Sequence, residues 1–236
     1  MANPVSIRHT PPQRHTAALE LLFSAMSSGE RVAQMATTMT ALRDGRLSLD
    51  GLLEAVRDNE IVGCIWASAL GGRMALVWPP QIAAHEEEST AVSLLAAADA
   101  WMSKSGVRVA NAFLVDDQSV DSRRLLAAGY QMAAEILYLV SDRAEFPQQR
   151  PATQLTFNPT TPDEQDALSS LIEQTYADTL DCPTLNGQRE MDDILEGYRQ
   201  TGRHDPNRWF IVRQGSHPIG CLILTDHPSE QQFELV

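Results

Sequence analysis

The chain has 236 residues, 43% hydrophobic and 21% charged, which suits one large globular domain or two small ones. With 18 Lys and Arg against 31 Asp and Glu, its formal net charge is −13. Such a surface argues against nucleic acid as a main partner, because affinity there comes from neutralising phosphates, and it mildly attracts amines.

Residues 1–12 carry no apolar stretch of the kind a signal peptide needs. Val5 to Arg8 alternates like a strand. Gln13 to Met26 and Glu30 to Leu42 have helical spacing, the second closing at Asp44-Gly45. Leu52 to Arg57 and Ile61 to Ala67 are strands joined by the turn Asp58-Asn59. A third strand, Met74 to Trp78, is expected to stop at Pro79-Pro80. Glu86 to Ser103 is the clearest helix. Val107 to Val115 reads as a strand buried on both faces, Val120 to Ala128 as a short helix before Gly129, and Met132 to Val140 as a closing strand. The order gives an α/β fold, a mixed sheet with helices on both faces.

Residues 142–152, rich in Pro and Gln, read as a linker. The pattern then restarts with a strand at Gln154 to Phe157, helices at Pro162 to Tyr176 and Arg189 to Gln200, and strands at Trp209 to Val212 and Ile219 to Leu224. A last strand, Gln232 to Val236, has just begun where the sequence ends. Val62-Gly63-Cys64-Ile65 reappears as Ile219-Gly220-Cys221-Leu222, which suggests a duplication. The expected division is residues 1–146 and residues 153–236, the second being the first half of another copy. No run of about 18 apolar residues occurs, so no membrane partner is expected. Cys64, Cys182 and Cys221 lack CxxC spacing, which fits a reducing cytoplasm and predicts neither a disulfide frame nor a metal site.

The element order, the two Gly-Cys strands and Ser122 to Tyr130 with its Gly129-Tyr130 turn together resemble the GNAT N-acetyltransferase fold. The pairing of copies resembles tandem GNAT proteins of the mycothiol-synthase type. The resemblance implies acetyl-CoA as acyl donor, a primary amine of a small molecule or peptide as acceptor, and backbone N–H groups meeting the oxyanion. It also implies Glu234 as general base, in a strand position that often carries a glutamate in this family. Ala75 is the expected counterpart of Glu234 in the first copy. The family's [Arg/Gln]-x-x-Gly-x-[Gly/Ala] motif occurs nowhere in these 236 residues. Its place in the first copy, Pro80 to Ser89, has no glycine and carries Glu86, Glu87 and Glu88, which are expected to repel a pyrophosphate. The chain is therefore expected to be an inactive fragment that associates with itself through its C-terminal strand. The rival expectation is a non-catalytic scaffold or ligand-sensing module.

The remaining polar features have plainer readings. Cys182 in Asp181-Cys182-Pro183 lacks a readable histidine partner and is expected to be a small packing residue. His85-Glu86 lacks the second histidine of a zinc helix. Arg203-His204-Asp205 and Asp226-His227 read as polar turns, and Trp209 and Tyr198, candidates to line a substrate cleft, are expected to pack in the core. The loop from Asp181 to Gly187 is where the family's acceptor pocket is often shaped.

Overall fold

The structure is a computed structural model that describes residues 3–149, 152–177, 179, 182–185, 187–228 and 230–236. The chain divides into two compact units, Met1–Met132 and Ala133–Val236. Part of the expected linker, at residues 150 and 151, lies outside the described residues, as does Asp181.

The first unit is built on a five-stranded sheet. Its strands are β1 (Ser6–His9), β2 (Leu52–Arg57), β3 (Glu60–Leu70), β4 (Met74–Ile82) and β5 (Val109–Asn111), in that spatial order. All neighbours are antiparallel except β4 and β5. Asp58 and Asn59 both take positive φ in the tight hairpin between β2 and β3, a conformation that aspartate and asparagine tolerate. Strand alternation divides the apolar residues between two faces. Leu53, Ala55 and Ala67 pack under helix α3 (Glu88–Lys104), whose Leu94, Leu95 and Ala98 fill that layer. Leu52, Cys64 and Trp66 pack on the opposite side, against Leu19, Leu22 and Phe23 of α1 (His15–Leu22) and its C-cap. Helix α2 (Ser28–Arg43) opens on a capping box between Ser27 and Glu30.

Two expectations fail in the strands of this unit. Pro79 and Pro80 do not end β4, which continues to Ile82. The β3–β4 register shifts between Cys64 and Trp66, opposite the two prolines, so a bulge absorbs residues that have no N–H to donate. The strand expected from Val107 to Val115 shrinks to three residues, and Phe113, Leu114 and Val115 are exposed. Helix α4 (Val120–Ala127) follows, capped by Ser119.

The closing strand expected from Met132 to Val140 is not formed. Among the described residues nothing pairs with this segment, and a strand exists only where its backbone groups find partners. Its large side chains stand in solvent, with Leu139 94% exposed.

The second unit has a four-stranded antiparallel sheet: β6 (Leu155–Pro159), β7 (Trp209–Gln214), β8 (His217–His227) and β9 (Gln232–Leu235). Leu168 and Ile172 of α5 (Gln165–Tyr176), with Ile194 and Leu195 of α6 (Met191–Gln200), cover Trp209 and Ile223 on one face. The pairing repeats that of the first unit residue for residue. Ala55 faces Gly63 and Val212 faces Gly220, while Glu54 faces Cys64 and Ile211 faces Cys221. Thr10 N donates to Leu52 O at 3.0 Å, and Thr160 N donates to Trp209 O at 2.7 Å.

Candidate functional site

Glu234 lies on β9 directly across from Thr225 of β8. His227, two residues beyond Thr225, shares its face of the pleat. The three side chains therefore meet. Glu234 Oε2 is 3.0 Å from His227 Nε2, and Thr225 Oγ1 is 3.3 Å from the same nitrogen. Thr225 is fully buried, while the Glu234 side chain is 43% exposed and that of His227 is 17% exposed. The carboxylate is thus anchored on one side and open to solvent on the other. With a proton on Nε2, the His227 ring donates to the carboxylate and holds it in place.

The turn after α6 closes over this pair. Arg203 N donates to Asp226 O at 2.8 Å, and the Arg203 guanidinium pairs with the Asp226 carboxylate. A Cβ on Gly202 would lie 3.0 Å from Asp226 O and 3.1 Å from two atoms of the His227 ring. Only glycine fits there without displacing something. Arg203, Asp226 and His227, expected to be turn residues, are the frame that sets Glu234. The signal available in the sequence was the alternation of Thr225 and His227, but it becomes informative only with the hairpin register.

That register also corrects the expected match in the first unit. Ser68 faces Leu76 as Thr225 faces Glu234, so Leu76, and not Ala75, is the counterpart of Glu234. A one-residue shift moves a side chain to the other face of a strand. Leu70 stands where His227 does, so the first unit has no version of this pair.

The place in the first unit that the family pattern assigns to a pyrophosphate is filled by the chain's own ion pairs. Arg57 donates from Nε and Nη2 to Glu86, both at 3.0 Å, and Thr90 Oγ1 adds a third bond at 3.1 Å. Arg124 donates to Glu88 at 2.5 and 2.9 Å and to Pro80 O at 3.0 Å. The expected repulsion by three uncompensated glutamates is corrected accordingly: two of the three are neutralised by bidentate arginines. These bonds hold both carboxyls below the ordinary glutamate range. Burial raises Asp121, which accepts from Gln81 beside them. No glycine opens the backbone here, and Arg57 and Arg124 are engaged by Glu86 and Glu88, so this turn lacks the family's phosphate-binding pattern.

The other sequence candidates are dispersed. Cys182 Sγ lies 3.6 Å from Thr184 Oγ1 and near Ala133 O, with no histidine in these contacts. Cys64 is buried, donates to Ala18 O at 3.1 Å, and has its thiol pushed far up by burial. Trp209 packs in the core of the second unit, and its edge lines a small cavity of about 240 Å³ with Arg199 and His204. Tyr198 shares a 2.8 Å hydroxyl bond with Tyr176, and burial followed by that bond raises its phenol. Among the described residues no three His, Cys, Asp or Glu side chains are grouped to hold a metal, and no helix is long and apolar enough to cross a membrane.

No protein-family model and no curated protein matches the chain. Solved structures do. A GCN5-related N-acetyltransferase from Sphaerobacter thermophilus aligns over 98% of this chain and 74% of its own, with TM-score 0.52 and 14% identity. A GCN5-related N-acetyltransferase from Anabaena variabilis covers 98% of this chain and 57% of its own, with TM-score 0.46 and 12% identity. The aminoglycoside acetyltransferase AAC(6')-Iy, bound to a bisubstrate analog, covers 59% of this chain and 99% of its own, with TM-score 0.47 and 14% identity. The chain has the mixed α/β fold of the GNAT acetyltransferases.

Proposed function

We propose that this chain is the substrate-side part of a tandem GNAT-type N-acetyltransferase, in which the second unit receives a primary amine and Glu234 takes its ammonium proton. The carrying observation is the Glu234–His227 pair, a half-exposed carboxylate braced at 3.0 Å against an imidazole on the neighbouring strand. A free amine lone pair is required for attack on an acyl carbonyl, and a fixed carboxylate at the substrate is a suitable first proton acceptor. The acidic surface supports a cationic acceptor of small-molecule or peptide type, in preference to nucleic acid or membrane. Neither unit, within these 236 residues, presents a glycine-opened phosphate turn. The chain alone is therefore expected to release no CoA thiol from acetyl-CoA.

The test is a titration of the 236-residue chain with a panel of primary amines, followed through the ring signals of His227. Binding that perturbs those signals, and that is lost in Glu234→Gln while the fold is kept, supports the reading. A panel without effect on His227, or amine binding indifferent to Glu234→Gln, refutes it.

A second reading rests on a separate observation. The bidentate Arg57–Glu86 and Arg124–Glu88 pairs occupy the first unit's phosphate position, so that unit serves as a non-catalytic scaffold whatever the second unit does.

A further inference from the structure

The cavity of about 240 Å³ in the second unit is a cleft where β6 ends, α6 turns back and β7 begins. Its floor is buried Thr160 and Trp209. Its rim is exposed Pro162, His204 and Pro206, with the His204 ring edge-on to the Trp209 indole at 4.8 Å. Gln165 and Arg199 stand between floor and rim, both half-buried. The first unit shows how the same corner is used structurally. Thr10 and Leu52 hold the places of Thr160 and Trp209, and His15 opens α1 as Gln165 opens α5. There the His15 Nε2 bonds to Thr10 O at 3.0 Å. Gln165 makes no such bond, and its amide has no hydrogen-bond partner among the described residues. Arg199 is also largely uncommitted: its contact with Glu196 is 3.6 Å, too long for a hydrogen bond.

We propose that this cleft binds a small aromatic carboxylate, with the ring against Trp209 and the two prolines and the carboxylate on Arg199. Three observations select that chemistry. The first is size. An apolar cavity of roughly 150 Å³ holds benzene, so about 240 Å³ takes one ring with a carboxylate attached. The second is the apolar wall. An indole and two prolines suit a flat ring, and an indole favours stacked or edge-on contact with it. The third is charge. A guanidinium fork matches a carboxylate, the Gln165 amide can donate beside it, and His204 carries at least one ring N–H in either tautomer. No carboxylate lines the cleft. The acids next to its lining residues are held elsewhere, Glu164 by Arg213 at 2.5 Å and Asp205 by Asn207 N at 3.0 Å. In a chain of net charge −13 this is a local reversal of sign. A cationic amine would meet Arg199 as a like charge, so this cleft is not the amine position proposed at Glu234. The inference does not depend on the proposed activity.

The test is a titration of the nitrogen-15-labelled 236-residue chain with sodium benzoate, followed through the Trp209 indole N–H and the amides of residues 160–165 and 199–209. Benzamide and benzylamine, similar in size but neutral and cationic, are the controls, at constant ionic strength. The expected result is saturable binding of benzoate that shifts these signals, with benzamide at least ~10-fold weaker and benzylamine without effect. Arg199→Gln should weaken benzoate at least ~10-fold, the loss expected for a charge-assisted hydrogen bond. Glutamine is as good a helix former as arginine, and unchanged amide signals in the first unit and in β7–β8 check that the variant folds. Glu234→Gln should leave benzoate binding unchanged, so this proposal and the one for Glu234 fail separately. Absence of saturable shifts up to ~10 mM benzoate overturns the proposal. So does benzamide binding as well as benzoate, benzoate binding indifferent to Arg199→Gln, or saturable shifts confined to residues away from the cleft.

Discussion

Gly63 and Gly220 occupy the same place in the two units, each before a cysteine and each across from the second strand of its sheet, facing Ala55 and Val212. Alanine should nevertheless have opposite effects at the two sites. A Cβ at Gly63 would meet Ile82 Cγ2 and Leu94 Cδ1 at 3.1 Å and Ala55 Cβ at 3.4 Å, because α3 lies directly on that strand. A Cβ at Gly220 meets nothing within 4 Å. Two contacts tighter than ordinary, both to branched side chains of a filled core, place Gly63→Ala in the overpacking range of about 1–3 kcal/mol destabilising. Gly220→Ala adds no clash and removes backbone freedom from the unfolded chain, a gain of about 0.4–1 kcal/mol. Urea unfolding, monitored at the tryptophans of each unit, measures both. Equal destabilisation by the two variants would show that the helix over Gly63 is not what distinguishes the units.

Gly202→Ala should displace His227 from Glu234, since the carbonyl of Asp226 cannot yield. The expected cost is about 1–3 kcal/mol of stability, with His227 ring signals moved in the absence of any ligand. The Arg57–Glu86 and Arg124–Glu88 pairs lower the folded-state values of both glutamates, so their stabilisation is present above the unfolded value of about 4.3 and is lost as pH falls through the lower folded values. Asp121, raised by burial, has the opposite sign and becomes less unfavourable as pH falls. The double variant Glu86→Gln, Glu88→Gln should flatten the acid limb of a stability-against-pH curve, and an unchanged limb would count against the pairs. Thiol labelling of the native chain should modify Cys182 first and Cys64 last, as Cys64 is buried with its thiol pushed up. Early loss of Cys64 would contradict the packing of α1 on β3.

The sequence carried most of the frame. The alternation in Leu52 to Arg57 and Ile61 to Ala67, the Asp58-Asn59 turn and the apolar stripe of the helix near residues 88–104 are local signals, and each element formed close to its expected bounds. The misses involve non-local terms. Whether Pro79-Pro80 stops a strand depends on a bulge in its neighbour. Whether residues 132–140 form a strand depends on a partner, which no property of the segment supplies. The matching register of the two Gly-Cys strands was hinted at by their shared residues, and Glu234 is an expectation drawn from a family pattern. Its partner His227, and its counterpart Leu76, required the hairpin register.

The two units keep one frame and vary its polar content. Thr10 and Thr160 make the same bond to the first residue of the next strand, and the glycine and cysteine pairs keep their opposite numbers. Each unit also ties its opening 3-10 turn to its second strand by an ion pair, with the signs exchanged. In the first unit the cation is on the turn, Arg14 to buried Glu54 at 3.0 Å; in the second the acid is, Glu164 to Arg213 at 2.5 Å. A backbone register is set by alternation and burial, so it survives such exchanges. A site is set by which polar group stands on one face at one position. Leu70 and Leu76 against His227 and Glu234 show the same sheet register with and without the polar pair. The two sheets thus share one strand register, while the proposed chemistry rests on the pair in the second unit, where a carboxylate is both braced and exposed.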